Sequence, residues 1–412
     1  MLTVEPARRP TRKVAGKLGI ALAGGGPLGF FYELGALHAV SEAVAGRALT
    51  EYDVFIGVSS GALVAAGLAN GLDTAAMGAI YIQDEAACLP FSPGMLLQPA
   101  VGEYLRRMSQ LPKALMHVAR QVAKDPMRNA WSVAMSSIGS FLPTALFDNK
   151  PLERHLNALF EAAGRTDDFR KLRSRLYAVS TNLNTGESVS FGARGFDQTP
   201  ISRAVLASCA LPGLYAPVEI DGEQYVDGAL IRTMHASIAL EAGCNLVICV
   251  NPLVPFKVSR AASSAHSNLA HLGLPAILGQ TFRALIYSRL QVGMAAYGAR
   301  FPAADTLLLQ PDRDDERLFF TNVFRYSGRE RLVEHAYQCT RRDLLAHADS
   351  LTPVLARHGL QLDVEILRDP RRRFTWTGKK RKAHVRTTAT RLGRALSRVE
   401  GLLRTEWIQA SS

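Results

Sequence analysis

The chain has 412 residues, 48% of them hydrophobic and 20% charged. That is long enough to bury a core without staples, and too apolar to be a disordered chain. The formal net charge is +12, and +10 of it lies in Arg368–Ser412, which holds 13 Lys/Arg and three acids. The rest is a nearly neutral globule, and the basic segment points to an anionic partner surface. The five cysteines, Cys88, Cys209, Cys244, Cys249 and Cys339, lack zinc-finger spacing and read as small buried hydrophobes in a reducing compartment.

In chain order, residues 1–16 read as a basic N-terminal tail without a secretory signal. Leu18–Ala23 is a short apolar strand that runs into Gly24-Gly25-Gly26-Pro27-Leu28-Gly29. A helix is predicted from Phe30 to about Ala45, on the apolar spacing of Phe31, Leu34, Leu37 and Val40. A second strand, Asp53–Val58, leads into Ser59-Ser60-Gly61 and an Ala/Leu-rich helix to about Leu72. Residues 89–148 interrupt this rhythm as a helical insertion. Lys113, Leu115, Val118, Arg120, Val122 and Lys124 give part of it an amphipathic, basic pattern. It reads either as packed helices or as a lid at a lipid surface. Later strands are predicted at Leu176–Thr181, Ser188–Phe191, Val218–Ile220, Gln224–Val226, Leu246–Val250 and Thr306–Leu309. Their apolar runs suggest strands covered on both faces. Beyond about residue 351 lies a basic extension. Leu392, Leu396, Val399 and Leu403 form one stripe there, with Arg391, Arg394 and Arg398 off it. No segment reads as membrane-spanning. The strand–loop–helix alternation predicts an α/β fold.

Three motifs carry chemistry. Gly57-Val58-Ser59-Ser60-Gly61 is a G-x-S-x-G between a strand and a helix, which makes Ser59 the candidate nucleophile and Gly57 and Gly61 the flanks of its tight turn. The Gly24–Gly29 loop fits a dinucleotide fingerprint in spacing. It lacks the acidic residue that such a site needs at the end of the next strand. The alternative is an oxyanion hole, with Gly24, Gly25 and Gly26 presenting amides at a helix N-terminus. Asp227-Gly228 follows a strand. A carboxylate there could serve as base if burial raises its pKa, although Asp-Gly is commonly just a turn.

Together these motifs resemble the patatin-like phospholipase family. The stretches Ala207–Pro212 and Asp221–Val226 support the likeness, which covers roughly residues 17–251. The resemblance implies a three-layer α/β/α sandwich with a mostly parallel sheet, spanning 17–350. It implies a Ser–Asp dyad of Ser59 and Asp227, the latter followed by Gly228, with the oxyanion on the Gly24–Gly26 backbone and no cofactor or metal. The expected activity is hydrolysis of phospholipids or other acyl-ester lipids through an acyl-enzyme. Leu28 stands where the family usually carries Arg or Lys, and Ala229 where a second glycine is common. The expected location is cytoplasmic and peripheral, on an anionic membrane contacted through 368–408, with 113–147 as a second candidate surface. Nucleic acid is the weaker reading of the basic run. Two alternatives stay open. One is a Ser–Asp–His hydrolase using His235, His266, His271 or His335. The other is a lipid-binding pseudoenzyme.

Overall fold

A computed structural model describes residues 1–9, 16–82, 91, 93–101, 116, 144–231, 234–258, 269–321 and 326–375. The chain divides into two compact units, Met1–Thr375 and Trp376–Ser412. The second unit lies outside the described residues, as does most of the 89–148 insertion.

Nine strands form one sheet. They are β1 (Leu2–Glu5), β2 (Lys17–Leu22), β3 (Val54–Val58), β4 (Arg175–Asn182), β5 (Ser188–Phe191), β6 (Val218–Ile220), β7 (Glu223–Asp227), β8 (Cys244–Val250) and β9 (Asp305–Leu309). The order is β1-β9-β8-β2-β3-β4-β7-β6, with β5 folded back on β4. The five central strands from β9 to β4 are parallel, and the flanking pairs are antiparallel. Every residue of β3 and β9 is buried, as expected for strands covered on both faces. Beside a short helix at Glu316–Phe320, the described helices are α1 (Gly26–Ala43), α2 (Ser60–Ala69), α3 (Thr74–Tyr81), α4 (Lys150–Phe160), α5 (Ile201–Ser208), α6 (Ala236–Glu241), α7 (Leu274–Arg300), α8 (Tyr326–Ala346), α9 (Ala348–Ala356) and α10 (Val364–Arg368). This is the mixed α/β layer architecture that the sequence predicts.

Helix α1 is apolar nearly all round and is buried accordingly. It starts at Gly26, earlier than the periodicity suggests, because Pro27 is preorganised for a first turn. It stops at Ala43, because Val44–Ala45 leave the helix to pair with Gln361–Leu362. Gly35 lets α8 cross closely. A Cβ there would lie 2.4 Å from the Val333 carbonyl oxygen and 2.9 Å from the Ala336 Cβ.

The ends differ from the sequence expectation. Leu2–Glu5 is an edge strand, antiparallel to β9, and not part of a tail. Its four residues carry too little pattern to read alone. At the other end the compact unit runs past residue 351 to Thr375. Arg372 pairs with Glu42 at 3.2 Å, Arg373 with Glu334 at 3.7 Å, and Phe374 is buried. The first basic block is thus held by acids of the globule. The block Lys379–Lys382 and the stripe beyond it lie outside the described residues.

Candidate active site

Strand β3 delivers Ser59 at its carboxyl end, and α2 begins one residue later. Ser59 has φ +53° and ψ −125°, a strained backbone for any residue with a side chain. The two flanking glycines make the turn possible. A Cβ on Gly57 would lie 2.3 Å from the Gly61 oxygen, and one on Gly61 would lie 2.7 Å from the Ala23 oxygen. The Ser59 amide donates to Ser208 Oγ at 2.8 Å.

Asp227 closes β7. Its register partner on β4 is Ser180, next to Val179, which pairs with Val58 of β3. Two strands away from β3, the carboxyl therefore ends level with Ser59. The Ser59 hydroxyl sits near enough to the Asp227 carboxyl to hold its pKa down, and that carboxyl accepts from the Ala229 amide at 2.9 Å. Asp227 is 2% exposed. Burial raises its pKa to about 6, and the Ser59 hydroxyl and the Ala229 amide hold the rise back.

The glycine loop meets both turns at Gly24. A Cβ there would lie 3.0 Å from the Ser59 Cβ and 3.3 Å from the Ala229 Cβ. Gly25 caps α1, and a Cβ on it would lie 2.5 Å from Pro252 Cγ. Gly26 adopts φ +57°, which favours glycine. The first amides of α1 lack intrahelical acceptors and mark the positive end of an 18-residue helix. Leu28 sits half-buried in this first turn.

Beside Ser59 opens a cleft of about 760 Å³, solvent at its mouth included. Phe30, Phe31, Leu63, Leu156, Val205 and Tyr215 are among its walls, so the lining is largely apolar. Tyr81 also lines it. The Tyr81 hydroxyl lies 3.1 Å from His155 Nε2. Burial pushes the His155 pKa down to about 4, so this ring is neutral at physiological pH.

A patatin-like phospholipase family model matches residues 20–240. The chain belongs to the patatin-like phospholipase family. Curated relatives include uncharacterized NTE family proteins of Mycobacterium bovis and Mycobacterium tuberculosis, 34% identical over 74 residues. That match spans 18% of this chain and only 19% of the relatives' length. Among solved structures, VipD from Legionella pneumophila aligns over 87% of this chain and 82% of its own, at 14% identity and TM-score 0.31. The type III effector ExoU aligns over 85% and 66%, at 17% identity and TM-score 0.28.

This patatin-like chain brings Ser59, Asp227 and Gly24–Gly26 together. Of the histidines of the triad alternative, three are described. His335 Nε2 meets Asp315 Oδ2 at 2.6 Å, and that bond raises its pKa to about 9. His235 precedes α6, His271 lies in a short turn before α7, and His266 is outside the described residues. The Asp227 carboxyl accepts from the Ala229 amide, and the side chain that holds its pKa down is Ser59. Asp315, His335 and Cys339 also place potential metal ligands within 4.8 Å of one another. Arg342 donates to Cys339 Sγ at 3.1 Å, so a cation already serves that thiol, and none of the three lines the cleft. Ser208 is the residue that the sequence reading passed over. Its motif, Ala207–Pro212, was visible, but nothing in it signals that the hydroxyl holds the Ser59 backbone.

Proposed function

We propose that this chain is a lipid acyl hydrolase working through a Ser59–Asp227 dyad at a membrane surface. The observation that carries the reading is a serine on a strained turn brought beside the buried Asp227 carboxyl, in the wall of an apolar cleft.

The chemistry follows from the geometry. An acyl chain enters the cleft among Phe30, Leu156 and Val205, which places its ester carbonyl over Ser59. Ser59 Oγ attacks the carbonyl carbon while its proton passes to the Asp227 carboxylate. The carbonyl oxygen becomes an oxyanion facing the Gly24–Gly26 amides at the positive end of α1. A well-placed donor there contributes about 10²–10³ in rate. Collapse of the intermediate breaks the ester bond. The proton on Asp227 goes to the departing alcohol, and the acyl group stays on Ser59. Water then gives its proton to Asp227 and attacks the acyl-enzyme. A second collapse frees the fatty acid, and the proton returns to Ser59. No histidine is needed, because burial supplies the raised basicity that a triad draws from imidazole.

A fluorophosphonate serine-hydrolase probe tests this on wild type, Ser59→Ala and Asp227→Asn. The expected result is labelling of wild type, none of Ser59→Ala, and strongly slowed labelling of Asp227→Asn. A folded wild type that does not label would favour the lipid-binding pseudoenzyme.

A further inference from the structure

Helix α7 spans 27 residues and has two unlike faces. Ile286, Leu290 and Met294 are buried in a core cluster with Ala229 and Met234. On the opposite face Leu278, Leu285 and Val292 recur every seven residues and are 58%, 61% and 71% exposed. Leu274 and Ile277 extend this exposed stripe at the N-terminal end. A contiguous exposed apolar stripe on a helix marks an interaction surface.

The charge around the stripe is one-sided. Helix α7 carries Arg283, Arg289 and Arg300 and no acid; Arg283 packs over the Phe319 ring, while Arg289 and Arg300 are exposed. The placement is equally specific. Gln280 exchanges two hydrogen bonds with the backbone of Phe256, at 3.0 and 2.7 Å, shortly past the carboxyl end of β8. At the other end Arg300 reaches Glu241 at 2.7 Å, and the chain then enters β9. Helix α7 thus runs antiparallel to the central strands. Its N-terminal end, with Leu274, Ile277 and Leu278, lies at the sheet edge that carries Ser59 and the glycine loop. Arg289 donates to the Leu230 and Ile231 carbonyls at 3.0 and 3.2 Å, which ties α7 to the turn after Asp227.

We infer that the exposed face of α7 docks the protein on an anionic lipid bilayer, with its leucines in the interface and Arg289 and Arg300 at headgroup level. No described helix is long and apolar enough to cross a membrane, so α7 lies along the surface. A second copy of the chain fits less well. Isologous packing of this face would bring the arginines of two copies together with no acid on either helix. Docking here deepens the acyl-hydrolase reading, on which it rests only for its purpose. It presents the sheet edge bearing Ser59 to the lipid.

The test is flotation of the full chain with phosphatidylglycerol-containing vesicles and with phosphatidylcholine alone. Wild type is compared with Leu278→Glu/Leu285→Glu and with Val292→Glu, each checked for folding by circular dichroism. Turnover of a soluble short-chain ester is measured in parallel. Wild type is expected to float with the anionic vesicles. The double variant is expected to lose more than about tenfold in partitioning, since two leucine side chains leave the interface. Val292→Glu loses less, and soluble-ester turnover is unchanged in both. Flotation of both folded variants like wild type overturns the inference and assigns binding to another segment. So does a wild type that does not float. So does a wild-type dimer that the double variant splits without changing flotation. α7-dependent flotation without soluble-ester turnover in wild type would leave the docking surface standing and remove the hydrolase reading.

Discussion

The Ser59 amide donates to the Ser208 hydroxyl, and Ser208 Oγ in turn donates to the Val179 carbonyl at 2.5 Å. One fully buried side chain at the end of α5 therefore ties the strained turn to β4. Ser208→Ala removes the acceptor and leaves a buried N–H unpaired. That costs about 1–3 kcal/mol of stability. It also frees Ser59 to relax from φ +53°, so kcat is expected to fall at least about tenfold with KM little changed. Chemical denaturation and steady-state kinetics on a soluble ester check both halves. An unchanged kcat in a destabilised variant would reduce Ser208 to a structural role.

Asp227 sets the pH dependence. As the proposed base it must be ionised, and burial has moved its pKa up to about 6. Activity is therefore expected to rise with pH through about 6 and to level off above 7 in kcat/KM of the free enzyme. A profile with its acidic limb near 4 would mean that Asp227 is solvated or is not the base.

The same shift makes a stability prediction of opposite sense. A carboxyl whose folded pKa exceeds its unfolded value binds its proton more tightly in the native state. The folded protein thus loses stability as pH rises from about 4 to about 6, because the ionised form is the penalised one. Asp227→Asn removes that penalty and keeps an oxygen for the Ala229 amide. It is expected to be inactive yet more stable than wild type near pH 7–8, by up to about 3 kcal/mol, with the gain shrinking toward pH 4. Thermal melts of both proteins at several pH values decide it.

The parts of the fold legible in the sequence are those set by local pattern. The apolar runs of β2, β3, β8 and β9 need covering on both faces, so their pattern names them. The glycines around Ser59 are legible because a Cβ at Gly57 or Gly61 would collide with backbone. What stayed hidden depends on distant partners. Leu2–Glu5 becomes a strand only because β9 offers it an edge. Arg372 and Arg373 look like part of a solvated charge run until Glu42 and Glu334 come beside them. The exposed stripe of α7 is invisible because heptad leucines in a sequence do not say which side the core lies on.

Gly24 tests the convergence of the loop with both turns. Gly24→Ala places a methyl 3.0 Å from the Ser59 Cβ and 3.3 Å from the Ala229 Cβ, tighter than ordinary van der Waals contact. The neighbours must shift by a few tenths of an ångström, which is enough to misplace Ser59. The expected outcome is a folded protein with kcat/KM down at least about a hundredfold, as for misplaced reacting groups generally. Full activity would show that the loop does not bear on the nucleophile.

The cleft predicts the selectivity. Val205 lines it from α5, and the aromatic pair Phe30 and Phe31 lines it from α1. Val205→Phe adds bulk inside the cleft without touching Ser59 or Asp227. Each methylene of a long acyl chain that loses its place there forfeits about 0.8 kcal/mol, about fourfold in kcat/KM. A short ester never reaches so deep. The variant is therefore expected to hydrolyse p-nitrophenyl butyrate within about twofold of wild type and the laurate ester at least about tenfold more slowly. Overpacking costs about 1–3 kcal/mol of stability, so the comparison is made as a ratio of the two esters in one preparation. That ratio cancels any loss of folded protein. An unchanged ratio would mean that the acyl chain lies elsewhere, and that this cleft is not the one that measures it.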